Sequence, residues 1–182
     1  MGRVSMIDFK GFQKVPRLSR PIIITEKLDG TNASIYIGED GAFLVGSKNR
    51  WITPAVDNFE FALWANWNKD ELLKLGPGHH FGEWWGKGIN RGYGVDSRTF
   101  SLFNTSRWNE DNKPECCSIA PVLYSGVFDL SSIGCILHYL KVDGSVASPG
   151  FMDPEGIIIY HSASRSYFKK TIKDDEKPKG MV

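Results

Sequence analysis

Lys27 stands in Lys27-Leu28-Asp29-Gly30, where an apolar, β-branched run ends and a turn begins. A lysine so placed can present its amine at the mouth of a cavity and act as a nucleophile once it has lost its proton. A free lysine is almost wholly protonated at neutral pH. An attacking amine therefore needs nearby cations to oppose the acids Glu26 and Asp29. Two glutamates adjoin strong apolar segments, in Phe81-Gly82-Glu83 and in Glu155-Gly156-Ile157-Ile158. Carboxylate oxygens suit Mg²⁺ or Mn²⁺, usually through the ion's waters. His79 and His80 lack the spacing of metal ligands and read as structural. Each of these signals has an ordinary meaning as well. Asp-Gly makes hairpins, lysine is a common edge residue, and the KxDG pattern arises by chance in roughly a few per cent of chains this long.

The order of the motifs adds to this. Glu26-Lys27-Leu28-Asp29-Gly30-Thr31-Asn32 resembles nucleotidyl motif I of the covalent nucleotidyltransferases, which comprise ATP-dependent DNA ligases, RNA ligases and mRNA-capping enzymes. Ser47-Lys48-Asn49-Arg50 is similar to the basic motif that follows, Phe81-Gly82-Glu83 to motif III, and Phe100-Ser101-Leu102-Phe103-Asn104 to motif IIIa. Glu155-Gly156-Ile157-Ile158 resembles motif IV and Phe168-Lys169-Lys170-Thr171 motif V. The segments SKNRWITP, GEWWGKGINRGY and PGFMDPEGIIIY are similar to the RNA ligase branch, especially its small phage-encoded members.

The resemblance implies an ATP-dependent RNA ligase working with Mg²⁺ or Mn²⁺. Lys27 would attack the α-phosphorus of ATP to give lysyl-AMP and pyrophosphate. AMP would pass to an RNA 5′-phosphate, and a 3′-hydroxyl would displace it. Lys27, Lys169 and Glu155 are the catalytic residues so implied. Glu26, Asp29, Gly30, Asn32, Lys48, Arg50, Glu83, Phe103 and Lys169 would bind the nucleotide, and Glu155 and Glu83 the metal. Phe100 is the alternative adenine stacker, and Lys170 or Lys173 an alternative phosphate contact. Arg17, Arg20, Lys87, Arg91, Arg98 and Arg107 are scattered candidates for RNA phosphates. The resemblance also implies a nucleotidyltransferase domain over 1–173 with a polar tail over 174–182. Only 26 residues precede Lys27 and nine follow Lys173, so neither a nicotinamide-recognising segment nor an OB-fold domain is expected. RNA would then be held by the domain surface, by a protein partner, or weakly. A compact DNA ligase and a degenerate nucleotide- or RNA-binding module stay open as rival readings.

The elements that must position these residues read as follows. Strands are predicted at Pro21–Leu28, Thr31–Ile37, Ala42–Lys48, His79–Trp85, Arg98–Phe103, Val122–Phe128, Glu155–His161 and Ser166–Lys173. Asp29-Gly30 is expected to fold the first two into a hairpin. One helix is predicted over Asn58–Leu75, and a second after Ser131 or Ser132, with Ile133, Ile136, Leu137 and Leu140 as its stripe. Residues 104–120 and 144–154 read as loops. Many strands with tight turns and two helices argue α+β with mainly antiparallel sheets flanked by helices.

Composition bounds the rest. Apolar residues are 41% and charged residues 24% of the 182, near the globular average, which excludes wholesale disorder. No run approaches the roughly 18 apolar residues of a membrane span, and the start has no signal-peptide core, so a soluble protein of the cytoplasm is expected; a monomer is expected as well. Lys and Arg total 22 against 21 Asp and Glu, so bulk charge does not announce nucleic-acid binding. Cys116, Cys117 and Cys135 fit neither a disulfide framework nor a zinc site.

Overall fold

The β-rich segments build two sheets, and the order of the chain divides them unequally. The computed structural model describes residues 8–176. The elements are β1 (Pro21–Lys27), β2 (Thr31–Ile37), β3 (Phe43–Ser47), β4 (Trp51–Ile52), α1 (Phe61–Trp67), α2 (Lys69–Leu73), β5 (Gly78–Gly86), β6 (Arg98–Leu102), β7 (Cys117–Ile119), β8 (Val122–Val127), α3 (Leu130–Asp143), β9 (Gly156–His161) and β10 (Ser166–Thr171). One sheet runs β10-β9-β1-β8 and the other β4-β3-β2-β5-β6-β7. Every pairing is antiparallel except that of β6 with β7. The α+β expectation holds.

Each sheet buries one face under helices, as the two-residue period of a strand requires. In the four-stranded sheet Ile22, Ile24, Ile157 and Ile159 pack with Ile133 and Leu140 of α3. Each such side chain, fully buried, contributes about 1.5–3 kcal/mol. In the six-stranded sheet Ala33, Ile35, Trp84, Phe100 and Leu102 pack with Phe61, Ala62, Ala65 and Leu72. A smaller cluster of Leu28, Trp85 and Tyr93 joins the two sheets.

Four expectations need correction. Asp29-Gly30 makes no hairpin: β1 pairs with β8 and β9, β2 with β3 and β5, and the turn carries the chain from one sheet to the other. The helix over Asn58–Leu75 starts late and is broken. The Asp57 carboxylate accepts from the amides of Ala62 and Leu63, and Phe59 and Glu60 before them are left-handed. Asn68 interrupts it by donating its side-chain amide to the Trp64 carbonyl at 2.8 Å, a competition that favours asparagine at helix ends. Asp129, not a serine, caps α3, accepting from the Ser132 amide at 3.0 Å. These bonds, from Ser131 first, hold its carboxyl down to about 2. Finally, β7 lies inside the expected 104–120 loop. With three residues and no alternation it leaves no periodic signal. Of the expected tail, residues 177–182 lie outside the described residues. Asp175, before them, accepts from the Thr171 amide at 2.8 Å and from Lys170 at 2.9 Å. Among the described residues no helix is long and apolar enough to cross a membrane.

Candidate functional site

Lys27 is the last residue of β1 and lies opposite Gly156, the first of β9. Glu155 is thereby delivered to the lysine from 128 positions away, and Lys27 Nζ donates to Glu155 Oε2 at 2.5 Å. Both side chains are mostly withdrawn from water, at 17% and 9% exposed. The register places other residues by parity. Thr25, Ile158 and Lys169 are aligned across three strands, as are Lys27, Gly156 and Thr171. Side chains directly opposite share a face, so Lys169 lies on the Lys27 face, two residues along β10 from Thr171. Lys170 aligns with Ile157 and Glu26 on the helix face, where it pairs with Asp175.

The same parity sets Glu26 on the opposite face from Lys27. It is buried, and its carboxylate accepts from Ser145 Oγ at 2.6 Å and from the amides of Val146 and Ala147 at 2.8 and 3.0 Å. Its side chain therefore anchors the loop after α3 and turns away from Lys27.

The turn that follows the lysine is held from three directions. Asp29 accepts from Asn90 at 3.0 Å and from Arg91 Nε at 2.9 Å, and its amide donates to Tyr93 Oη at 2.8 Å. Burial pushes the Tyr93 hydroxyl above the usual phenol range, so it keeps its proton. Asn90 also donates to the Gly30 carbonyl at 2.7 Å. Arg91 continues to Asp153 at 2.6 Å, and Asp153 accepts from Lys173 at 2.7 Å. Lys173 first, and then Arg91, hold the Asp153 carboxyl below its ordinary value. Tyr93 and Asn90 are site-shaping residues that the sequence does not announce. The available signal is the glycine density of residues 88–94, where both adopt positive φ; it marks a turn-rich segment without saying what that segment clasps.

Glu83, on β5, lies opposite Asn32. It accepts from the Gly30 amide at 3.1 Å and from Asn32 Nδ2 at 3.3 Å. Gly30 also packs against β5 so closely that a Cβ would strike the Trp84 carbonyl oxygen and lie 2.7 Å from Trp85 Cβ. We expect Gly30→Ala to lose about 1–3 kcal/mol of stability, the usual effect of forcing atoms into a filled space. A urea unfolding midpoint equal to that of the parent would contradict this.

Phe100 is fully buried in the core, whereas Phe103 is 38% exposed beside Phe81. Of the two aromatic candidates only Phe103 is open to a ligand. Lys48 and Arg50 are exposed in the tight turn between β3 and β4, closed by the Ser47 amide on the Arg50 carbonyl at 2.9 Å. Several of the scattered cations are committed elsewhere: Arg91 as above, Arg98 to Glu60, and Arg107 to the Leu75 carbonyl at 2.6 Å. Arg17, Arg20 and Lys87 are exposed. His80 is buried against the Gly76 carbonyl at 2.9 Å, and burial lowers its affinity for a proton. Among the described residues no group of three or more His, Cys, Asp or Glu side chains is placed to hold a metal ion. The site is instead an amine paired with one carboxylate, with a second carboxylate on the neighbouring sheet.

Comparison with known proteins gives this arrangement a context. No curated protein sequence matches the chain. Solved structures of variants of the Naegleria gruberi RNA ligase share its fold. One with ATP and Mn is 19% identical with a TM-score of 0.62, over 86% of this chain and 51% of that one. One with AMP and Mn is 18% identical with a TM-score of 0.60, over 85% and 50%. An apo form is 19% identical with a TM-score of 0.60, over 84% and 50%. The chain thus spans about half the length of these relatives. A family model described as RNA ligase matches residues 20–173, from β1 through β10. By that match, which takes in both sheets and every residue of the site, the chain belongs to the RNA ligase family.

Proposed function

We propose that residues 1–173 form a nucleotidyltransferase domain of the ligase and capping-enzyme type, which uses ATP and a divalent metal to seal RNA. The observation that carries this reading is the Lys27–Glu155 pair, an amine held beside a carboxylate where two sheets join. Lys27 attacks the α-phosphorus of ATP. An N–P bond forms, the bond to pyrophosphate breaks, and the amine gives up a proton. Glu155, 2.5 Å from the amine, would receive it. The RNA 5′-phosphate then takes AMP from Lys27, and a 3′-hydroxyl displaces AMP to close the strand.

The other roles follow from position. Phe103 offers its open face to adenine. Glu83 fixes Gly30 and Asn32, which shape the wall beside the nucleotide. Lys48, Arg50 and Lys169 are cations for the phosphates, where they stabilise developing charge. Mg²⁺ or Mn²⁺ needs only one or two protein carboxylates when substrate phosphates and water complete its shell, and Glu155 and Glu83 fit that demand. The ion would neutralise phosphate charge as pyrophosphate leaves. The solved Naegleria gruberi relatives with ATP and Mn support the choice of nucleotide and metal.

The test is incubation with α-labelled ATP and Mg²⁺, followed by a denaturing gel. Label should stay with the protein, survive base and leave in acid, as a phosphoramidate does. It should vanish in EDTA. Absence of label would leave the rival reading of a non-sealing binding module. With label present, faster sealing of a DNA nick than an RNA nick would favour the DNA ligase instead.

A further inference from the structure

The helix-free face of the six-stranded sheet carries an aromatic surface that the reaction above does not use. Trp51 of β4 aligns with Gly46, Gly46 with Ser34, and Ser34 with Phe81 of β5. The middle of this row is small, and Trp51 folds across it. A Cβ on Gly46 would lie 2.5 Å from Ser34 Oγ and 3.3 Å from the indole. The indole then stacks on His79, with ring centres 5.6 Å apart and planes 22° apart. His79 stacks in turn on Phe81, at 4.2 Å and 27°. Tyr36 braces the group from one side, its ring 6.2 Å from Trp51 and 5.9 Å from His79. Trp51 is 51% and Phe81 55% exposed, and His79 is exposed between them. Three rings with aligned planes thus face outward from a flat support. Large apolar rings left in water on a small domain mark a binding surface.

The surroundings say what it binds. Asn32 and Glu83 lie two residues along from Ser34 and Phe81, about 7 Å by strand rise, so the surface continues directly from the nucleotide site. Lys48 and Arg50 flank Trp51 in the adjoining turn. Glu39 and Asp40 are exposed at the other end, beyond Tyr36; they repel phosphate and set the far limit of the path. Cations at the site end, flat aromatic faces in the middle and acids at the exit suit a short length of single-stranded nucleic acid. Its phosphates would pass Lys48 and Arg50, and its bases would lie on the rings. We propose that Trp51, His79 and Phe81 form a stacking platform for unpaired RNA bases next to the ends being joined. The choice of RNA rests on the function proposed above.

The test uses anisotropy of a labelled, 5′-phosphorylated 12-nucleotide single-stranded RNA and of the same strand carrying abasic positions. Trp51→Ala and Phe81→Ala should each weaken binding of the normal strand about tenfold, the usual effect of removing one base-stacking ring. Adenylylation by α-labelled ATP should stay within twofold of the parent. Trp51→Tyr, which keeps a ring, should recover most of the affinity. The parent should bind the abasic strand about tenfold more weakly than the normal one, and Trp51→Ala should lose that discrimination. Unchanged affinity in the alanine variants, no discrimination by the parent, or no binding at all would overturn the platform. A parallel loss of adenylylation would also overturn it, by making these rings part of the nucleotide site. If base discrimination is present while the parent forms no adenylate, the platform stands and the proposed ligation fails.

Discussion

Lys27→Ala should abolish protein-bound label, with a loss of at least about a thousandfold, because no other group takes over when the nucleophile is removed. In the fold Lys27 is the end of β1, with its side chain leaving the sheet toward Glu155. Removing one partner of this shielded pair also lowers stability, so lost labelling by itself would not tell chemistry from structure. A chemical control separates lost chemistry from lost structure. RNA already bearing AMP on its 5′-phosphate bypasses the amine, and Lys27→Ala should still join it to a 3′-hydroxyl. Residual labelling of the variant in a denaturing gel would move the covalent site elsewhere, with Lys169, on the same face, the first to examine.

Glu155→Ala should slow adenylylation by about 100–1,000-fold, the range for removing a positioned proton acceptor or a preorganised charge in a site screened from water. It deprives Lys27 of its partner and the transferred proton of its acceptor. Glu155→Gln separates shape from charge. The amide can still accept a hydrogen bond from Lys27 but cannot take its proton, so it should be almost as slow. Single-turnover labelling with a pH profile is the readout. Labelling at the parent rate in both variants would reduce Glu155 to a strand-end residue. Stability gives an independent check. Removing one partner of a shielded pair costs more than removing both. The Lys27→Ala/Glu155→Ala double variant should therefore be more stable than the sum of the single changes implies.

Among the described residues every strand but β4 and β7 was legible in the sequence, because β-branched runs such as Ile22–Ile24 and Ile157–Ile159 leave little choice of conformation. Their partners were less so. Asp29-Gly30 carries a strong local hairpin signal, yet β1 pairs with β8 and β9 and buries Ile22 and Ile24 under α3. Local turn chemistry yields to tertiary burial there. The long helix failed for the opposite reason. Asp57 and Asn68 hydrogen-bond backbone groups locally, which overrides an otherwise helical spacing of apolar residues. At the site, residue types with a chemical motive stood out: Lys27, Glu83 and Glu155. Glu26 has the same motive, but strand parity turns it to the other face. Asn90 and Tyr93 were hidden because their work is done on backbone groups of the turn, and no motif spacing records such bonds.

The six-stranded sheet is one unbroken stretch of chain, from β2 to β7, whereas the four-stranded sheet takes β1 from one side of that stretch and β8, β9 and β10 from the other. A ribosome delivers these parts in order. The six-stranded sheet can close while the chain is still growing. β1 must wait with both edges unpaired, because its partners have not been made. Since Glu155 emerges 128 residues after Lys27, the lysine meets its carboxylate only after the whole six-stranded sheet, β8 and α3 have been made. Assembly of the paired amine thus follows that of the six-stranded sheet. A nascent chain truncated before β9 carries the nucleophile without the carboxylate, and exposes a strand able to pair with its neighbours on the same message.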